Sequence, residues 1–166
     1  LIDSLRQLQL QENTVYALDR FTNYCGTWVR HSGWYPDWKV RLFDRRRVQW
    51  QGDFVHETLL IPAEFKEVRL FGKLLHYSYR SSEDHWQRIE RYARLSAEKL
   101  FHRGKKPSPV KKYVSPAARF LRTFFLKKGF LDGKVGWRLS RRNAYMVRRK
   151  YQILEELYRQ PQDHGN

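Results

Sequence analysis

The chain has 166 residues, 41% of them apolar and 16% aromatic, which is enough core material for one folded domain and too much for a disordered basic tail. A formal net charge of +16 selects polyanionic partners: nucleic acid, anionic lipid headgroups, or phosphorylated sugars and nucleotides. The lone cysteine, Cys25, excludes an internal disulfide framework and a cysteine-based zinc site, and the longest apolar runs, such as Thr58 to Pro62, are too short to cross a bilayer.

The chain opens inside a helical pattern (Leu1, Ile2, Leu5, Leu8), as though it continued from an upstream segment, and it shows no signal-peptide pattern. From Val15 to Tyr79 short runs of β-branched and aromatic residues predict strands: Val15-Tyr-Ala-Leu, Thr27-Trp-Val-Arg, Lys39-Val-Arg-Leu-Phe, Phe54 to Leu60 and Lys73 to Tyr79. Gly33, Pro36-Asp37, Gly52-Asp53, Pro62 and Gly72 punctuate them as turns. After Ser81 the period becomes helical. Ser82 is placed to cap a helix from Glu83, with Trp86, Ile89, Tyr92 or Ala93, Ala97, Leu100 and Phe101 on one face and an end near His102 to Gly104. Gly104 to Lys112 reads as a basic, proline-broken connector. A second helix is expected from Ser115-Pro116 to Gly129, and a third from about Asp132 to Tyr158. The expectation is an α/β chain: a small mixed sheet over residues 1–81, three basic amphipathic helices over 82–159, and a frayed tail at 160–166.

There is no P-loop, Gly-x-Gly-x-x-Gly, His-Glu-x-x-His or Asp-x-Asp in the chain, so any chemistry rests on isolated acids and histidines placed by the sheet. The run Trp50-Gln-Gly-Asp-Phe-Val-His56-Glu57 sets a histidine beside a carboxylate on a predicted strand, where neighbours face opposite ways. Glu57 suits a general base that deprotonates a sugar hydroxyl, with His56 orienting it, or one of the two suits a metal ligand. The competing reading leaves Glu57 solvated and His56 as a packing residue. His76 stands on the next apolar strand, a structural residue or a ligand. Cations and aromatics interleave from Trp28 to Arg47 and again from Phe120 to Lys150, where Lys127, Lys128, Arg138, Arg141, Arg142, Arg148 and Arg149 sit among Phe, Trp and Tyr. Three readings fit: a phosphate-tracking groove with stacking platforms, helices lying on an anionic leaflet, or an ordinary amphipathic helix pair with a basic solvated side.

Four blocks together resemble the C-terminal half of the family 2 glycosyltransferases of the lipopolysaccharide-core type, relatives of the heptose-region glucosyltransferases. They are Gly33-Trp-Tyr-Pro-Asp with Arg41-Leu-Phe, Trp50 through Val55-His56-Glu57, Gly72-Lys-Leu-Leu-His76-Tyr-Ser-Tyr, and Gly129-Phe-Leu-Asp132-Gly133-Lys-Val-Gly136-Trp. The resemblance implies part of a GT-A fold: an acceptor-side half following a nucleotide-binding half that ends in an aspartate-rich metal motif and is absent from this sequence. It implies Glu57 as the catalytic carboxylate with His56 beside it, and His76 as a histidine completing the shell of a Mg²⁺ or Mn²⁺ whose main ligands belong to the N-terminal half. Arg41, Trp34, Asp37, Trp50, Tyr79 and Asp132 become substrate-binding positions. Expected partners are a nucleotide sugar, a lipopolysaccharide or other cell-surface glycolipid acceptor, an anionic membrane surface and a separate N-terminal half. The expected location is cytoplasmic, peripheral at the inner face of the cytoplasmic membrane, and the chain alone is expected to be inactive. The alternative from another class is a non-enzymatic basic module binding nucleic acid or a membrane surface. The nucleic-acid version lacks any recognisable motif.

Overall fold

The computed structural model describes residues 1–52 and 58–159, and it is α/β as expected. Strand β1 (Thr14–Tyr24) is the hub of a four-stranded sheet, pairing with β2 (Thr27–Trp28), β3 (Trp38–Leu42) and β6 (Lys66–Tyr79). A separate ribbon joins β4 (Gln49–Gln51) to β5 (Thr58–Leu60). The pairings of β1 with β2, β1 with β3 and β4 with β5 are antiparallel, where a mixed sheet was expected. The reason is local: the connections β1–β2 and β4–β5 are far shorter than the crossover a parallel neighbour requires. Between β1 and β2 the register Tyr24↔Thr27 leaves Cys25 and Gly26 as a two-residue turn with φ of 48° and 88°, the left-handed pair that matches strand twist.

The chain divides into two compact units, one made of Leu1–Phe21 and Pro36–His76, the other of Thr22–Tyr35 and Tyr77–Asn166. In the first unit Tyr16, Leu18 and Leu70 form the core, with Leu1, Leu8, Leu42 and Leu74 packed against it. The short helix α1 (Ile2–Arg6) lies so close to β6 that a Cβ on Gly72 would stand 2.2 Å from the Leu1 nitrogen. Ser4 Oγ donates to the Phe71 carbonyl at 2.8 Å and fixes the same approach.

Three longer helices build the second unit: α2 (Ser82–His102), α3 (Pro109–Leu121) and α4 (Gly133–Arg159). The expected end of the first and span of the last hold. Helix α2 begins one residue earlier than expected, because Ser81 rather than Ser82 is the cap, its hydroxyl accepting from Asp84 N–H at 3.0 Å. The start of α3 is the larger correction. The sequence holds two Ser-Pro pairs, and the first is the cap: Ser108 Oγ accepts from Lys111 N–H and Pro109 takes the first helical position, where a missing N–H costs nothing. Pro116 is carried inside the helix. Leu121 leads into a π-turn, Arg122–Leu126, and then a 3₁₀ turn, Gly129–Asp132, reached through Lys128 at a left-handed φ of 52°.

Ala93 and Ala97 of α2 let Ile153 and Leu154 of α4 pack closely, and Tyr24, Val29 and Leu139 form a second core. Ion pairs stitch the helices on their outer sides: Arg149 to Glu90 at 3.0 Å, and Lys112 to Glu155 at 2.7 Å. The 3₁₀ turn sits directly on α4, since a Cβ on Gly136 would come 1.7 Å from the Gly129 carbonyl oxygen. Gly136→Ala must therefore push that backbone away. An overpacking cost of about 3 kcal/mol is expected, lowering the thermal midpoint by roughly 6–12 °C in a circular-dichroism melt. An unchanged midpoint would show that the turn relaxes freely.

Candidate functional site

Three of the expected site residues, Trp34, Tyr79 and Asp132, fall in the second unit, and the structure relates them. Asp132, at the end of the 3₁₀ turn, has a side chain only 5% exposed. Its Oδ1 accepts the backbone N–H of Arg30 at 3.0 Å, and its Oδ2 accepts the Ser32 hydroxyl at 2.8 Å. The His31 N–H reaches both oxygens at 3.1 and 3.2 Å, and the His31 ring Nδ1 lies 3.2 Å from Oδ1. A buried carboxylate is tolerated only when donors replace its water, and here one tripeptide supplies them all. The tripeptide is thereby held as a turn, with Ser32 at φ 59° and Gly33 at φ 77°. Ser32 N–H donates to the Lys127 carbonyl at 2.8 Å, and a Cβ on Gly33 would meet the Lys127 stem at 3.5 Å.

Beyond that turn Trp34 stands edge-on to Tyr24 (5.8 Å between ring centres) and tilted against Tyr79 (5.6 Å). Trp34 and Tyr79 remain half-buried, whereas Tyr24 is fully buried. Burial raises the Tyr79 and Tyr24 hydroxyls above the ordinary tyrosine value, so both are neutral hydrogen-bonding groups. A polar cleft of about 300 Å³ opens against the same turn, lined by Ser32, Gly33, Trp34, Arg119, Arg122 and Lys127. One indole and three cations around a small polar cleft suit an anionic, ring-bearing ligand. Sequence reasoning singled out Trp34 and Lys127 but passed over Arg119, Arg122, His31 and Ser32. Only the Gly33 turn signal beside His31-Ser32 hinted at them.

The other expected residues lie elsewhere. Asp37, Arg41, Trp50 and His76 belong to the first unit. There Asp37 is occupied: Arg20 Nε donates to its Oδ2 at 2.7 Å, and Lys39 pairs with Oδ1 at 3.1 Å. Arg41 is exposed and donates to the Val40 carbonyl, and Trp50, 53% exposed, meets Phe43 edge-to-face at 6.4 Å. His76 is half-buried on β6. His56 and Glu57 lie outside the described residues. Among the described residues no three His, Cys, Asp or Glu side chains gather to hold a metal ion, so they do not make a Mg²⁺ or Mn²⁺ site by themselves. Also among the described residues, no helix is long and apolar enough to cross a membrane.

Helix α3 has no buried residue, and Val110, Val114 and Leu121 form one exposed apolar stripe, followed by the exposed Phe125 and Leu126 of the π-turn, the latter 77% exposed. Lys111 and Arg122 fall beside that stripe in the helical repeat.

No protein-family model matches the chain, and no solved structure is significantly similar to it.

The clamp is directly testable. Asp132→Asn turns an NH₂ toward groups that are themselves donors, and charge-assisted bonds of this kind contribute roughly 1.5–3 kcal/mol each. A loss of at least about 2 kcal/mol is expected in urea denaturation, along with a shifted Trp34 emission. A variant as stable as the parent would remove Asp132 from its structural role.

Proposed function

We propose that the chain is the acceptor-side part of an inverting glycosyltransferase, moving a sugar from a nucleotide-sugar donor to a lipopolysaccharide or related cell-surface glycan at an anionic membrane surface. The observation that carries this reading is the Asp132 clamp. Asp132, from one of the four blocks behind the family resemblance, holds Ser32 a hundred positions away, and Ser32 runs directly into the Gly33-Trp34 block, with which it lines one cleft. A phosphorylated glycan matches that cleft, because Trp34 offers an apolar ring to a sugar face while Arg119, Arg122 and Lys127 face its phosphate.

In this reading Glu57 takes the proton of the acceptor hydroxyl as that oxygen attacks the anomeric carbon, and His56 orients the carboxylate. The donor-binding half, with the divalent cation, comes from outside the described residues. The α3 stripe lies on the membrane, with its apolar side chains at the acyl boundary and the flanking lysines and arginines among anionic headgroups.

Transfer is assayed with the full encoded polypeptide, Mn²⁺ and a panel of nucleotide sugars. Glu57→Gln is expected to lower kcat by about 10²–10⁴-fold while donor binding persists, the usual range for loss of a general base. Full activity in the variant moves the base elsewhere, and no transfer from any donor sinks the enzyme reading. Membrane docking has its own measurement, co-sedimentation with vesicles containing anionic lipid. Removing two exposed apolar side chains in Phe125→Ser/Leu126→Ser should weaken partition at least tenfold, whereas unchanged partition would leave charge alone as the attraction.

A further inference from the structure

Helix α4 carries a second cationic site that none of the roles above uses. Lys134, Arg138 and Arg141 recur at i, i+4 and i+7, so they stand on one face, and Tyr145 continues the row. With Arg142, Trp86 and Trp137 they line a cavity of about 630 Å³. Trp86 meets Tyr145 edge-to-face at 5.0 Å and forms an aromatic wall beside the cations.

Some basic side chains of the second unit meet carboxylates: Arg88 has Asp84 at 2.9 Å, Arg149 has Glu90 and Glu156, and Lys112 has Glu155. Lys134, Arg138, Arg141 and Arg142 have no carboxylate among the described residues, and none lines the cavity. Arg142 is the telling member, because it is only 5% exposed. A buried guanidinium without a counter-ion is costly, and its neighbours offset only part of that cost. It donates to the Tyr24 hydroxyl, to the Ser82 hydroxyl and to His85 Nδ1 at 2.9 Å, and its plane lies 4.7 Å from the Trp86 ring centre. Burial, then the Arg142 charge, lowers His85 to about 4, so it is a neutral acceptor at ordinary pH. These bonds use at most three of the five N–H groups of Arg142, leaving two without a partner among the described residues.

We propose that this pocket binds a phosphomonoester or diphosphate group carried by an amphipathic molecule. Four cations without a carboxylate favour a dianion over the single charge of a diester, since a monoester carries about −1.5 to −2 at pH 7. Two or more guanidinium forks can bond its oxygens in pairs. The flanking Trp86 and Trp137 rings accommodate an apolar or ring-bearing remainder. The binding needs no transfer reaction, so its test is separate from that of the transferase.

The intrinsic tryptophan fluorescence of the chain is titrated with inorganic pyrophosphate at low salt, because Trp86 and Trp137 report from the pocket walls. Arg138→Gln/Arg141→Gln is compared with Arg91→Gln/Arg94→Gln, which removes the same charge from exposed positions of α2. Saturable binding weakened at least tenfold in the first variant and less than twofold in the second supports a free phosphate group as ligand. A lipid source is supported if pyrophosphate binds poorly but vesicles with phosphatidic acid are held better than phosphatidylglycerol vesicles of equal surface charge, with that preference lost only in Arg138→Gln/Arg141→Gln. Equal losses in both variants overturn the proposal in favour of diffuse charge attraction. So does tighter binding of a single-stranded oligonucleotide that the same pocket variant abolishes, which would make the site a polymer groove.

Discussion

The Asp132 carboxylate is the bond on which the second unit turns. It is buried, so it needs donors, and among the described residues those donors come from Arg30, His31 and Ser32. Meeting that need forces the tripeptide into a left-handed turn that only a following glycine continues without strain. The carboxylate itself is positioned because Gly129 and Gly136 let the 3₁₀ turn sit on α4 at backbone distance. Trp34, Tyr24 and Tyr79 then stack beyond the turn, and Tyr24 hands the constraint on to His85 and Arg142 through hydrogen bonds. Two glycines, one acid and one aromatic cluster thus connect both cavities of this unit.

Periodicity made much of this legible. The apolar face of α2 and the length of α4 were readable because each keeps a 3.6-residue repeat over several turns. The alternation on β6, with Leu70 buried between exposed neighbours, likewise gave a strand, though the structure extends it back to Lys66. What failed was punctuation. Two Ser-Pro pairs seven residues apart carry the same local signal, and only tertiary packing against α4 decides that Ser108 caps while Pro116 is absorbed. The candidate site was legible as residue types but not as partnerships. Trp34, Tyr79 and Asp132 were named, yet Asp37, named with them, is held by Arg20 and Lys39. No local pattern reveals that His31 and Ser32 answer Asp132 across a hundred residues. The unpaired state of the α4 cations was hidden for the same reason, since sequence shows how many charges there are and not which ones meet a carboxylate.

The charge surplus of +16 is therefore not spread as a uniform solvating coat. Some of the 33 lysines and arginines are neutralised in helix-stitching pairs, while the surplus includes those beside the apolar stripe of α3 and those that converge on one face of α4. The last two groups serve different contacts: a flat amphipathic face meets a surface, whereas a concave set of guanidinium groups with ring walls meets a discrete anion.

Because the Thr22–Tyr35 segment belongs with helices encoded much later, the second unit cannot finish folding as the chain emerges during synthesis. At about 5–20 residues per second, the hundred residues separating Ser32 from Asp132 take roughly 5–20 s to be made. Throughout that interval Tyr24, Val29 and Trp34 lack their partner Leu139 and the carboxylate that shapes their turn. The nascent hairpin is thus a natural client for a holding chaperone. Neither unit is a continuous stretch of chain, so no single cut liberates one of them whole.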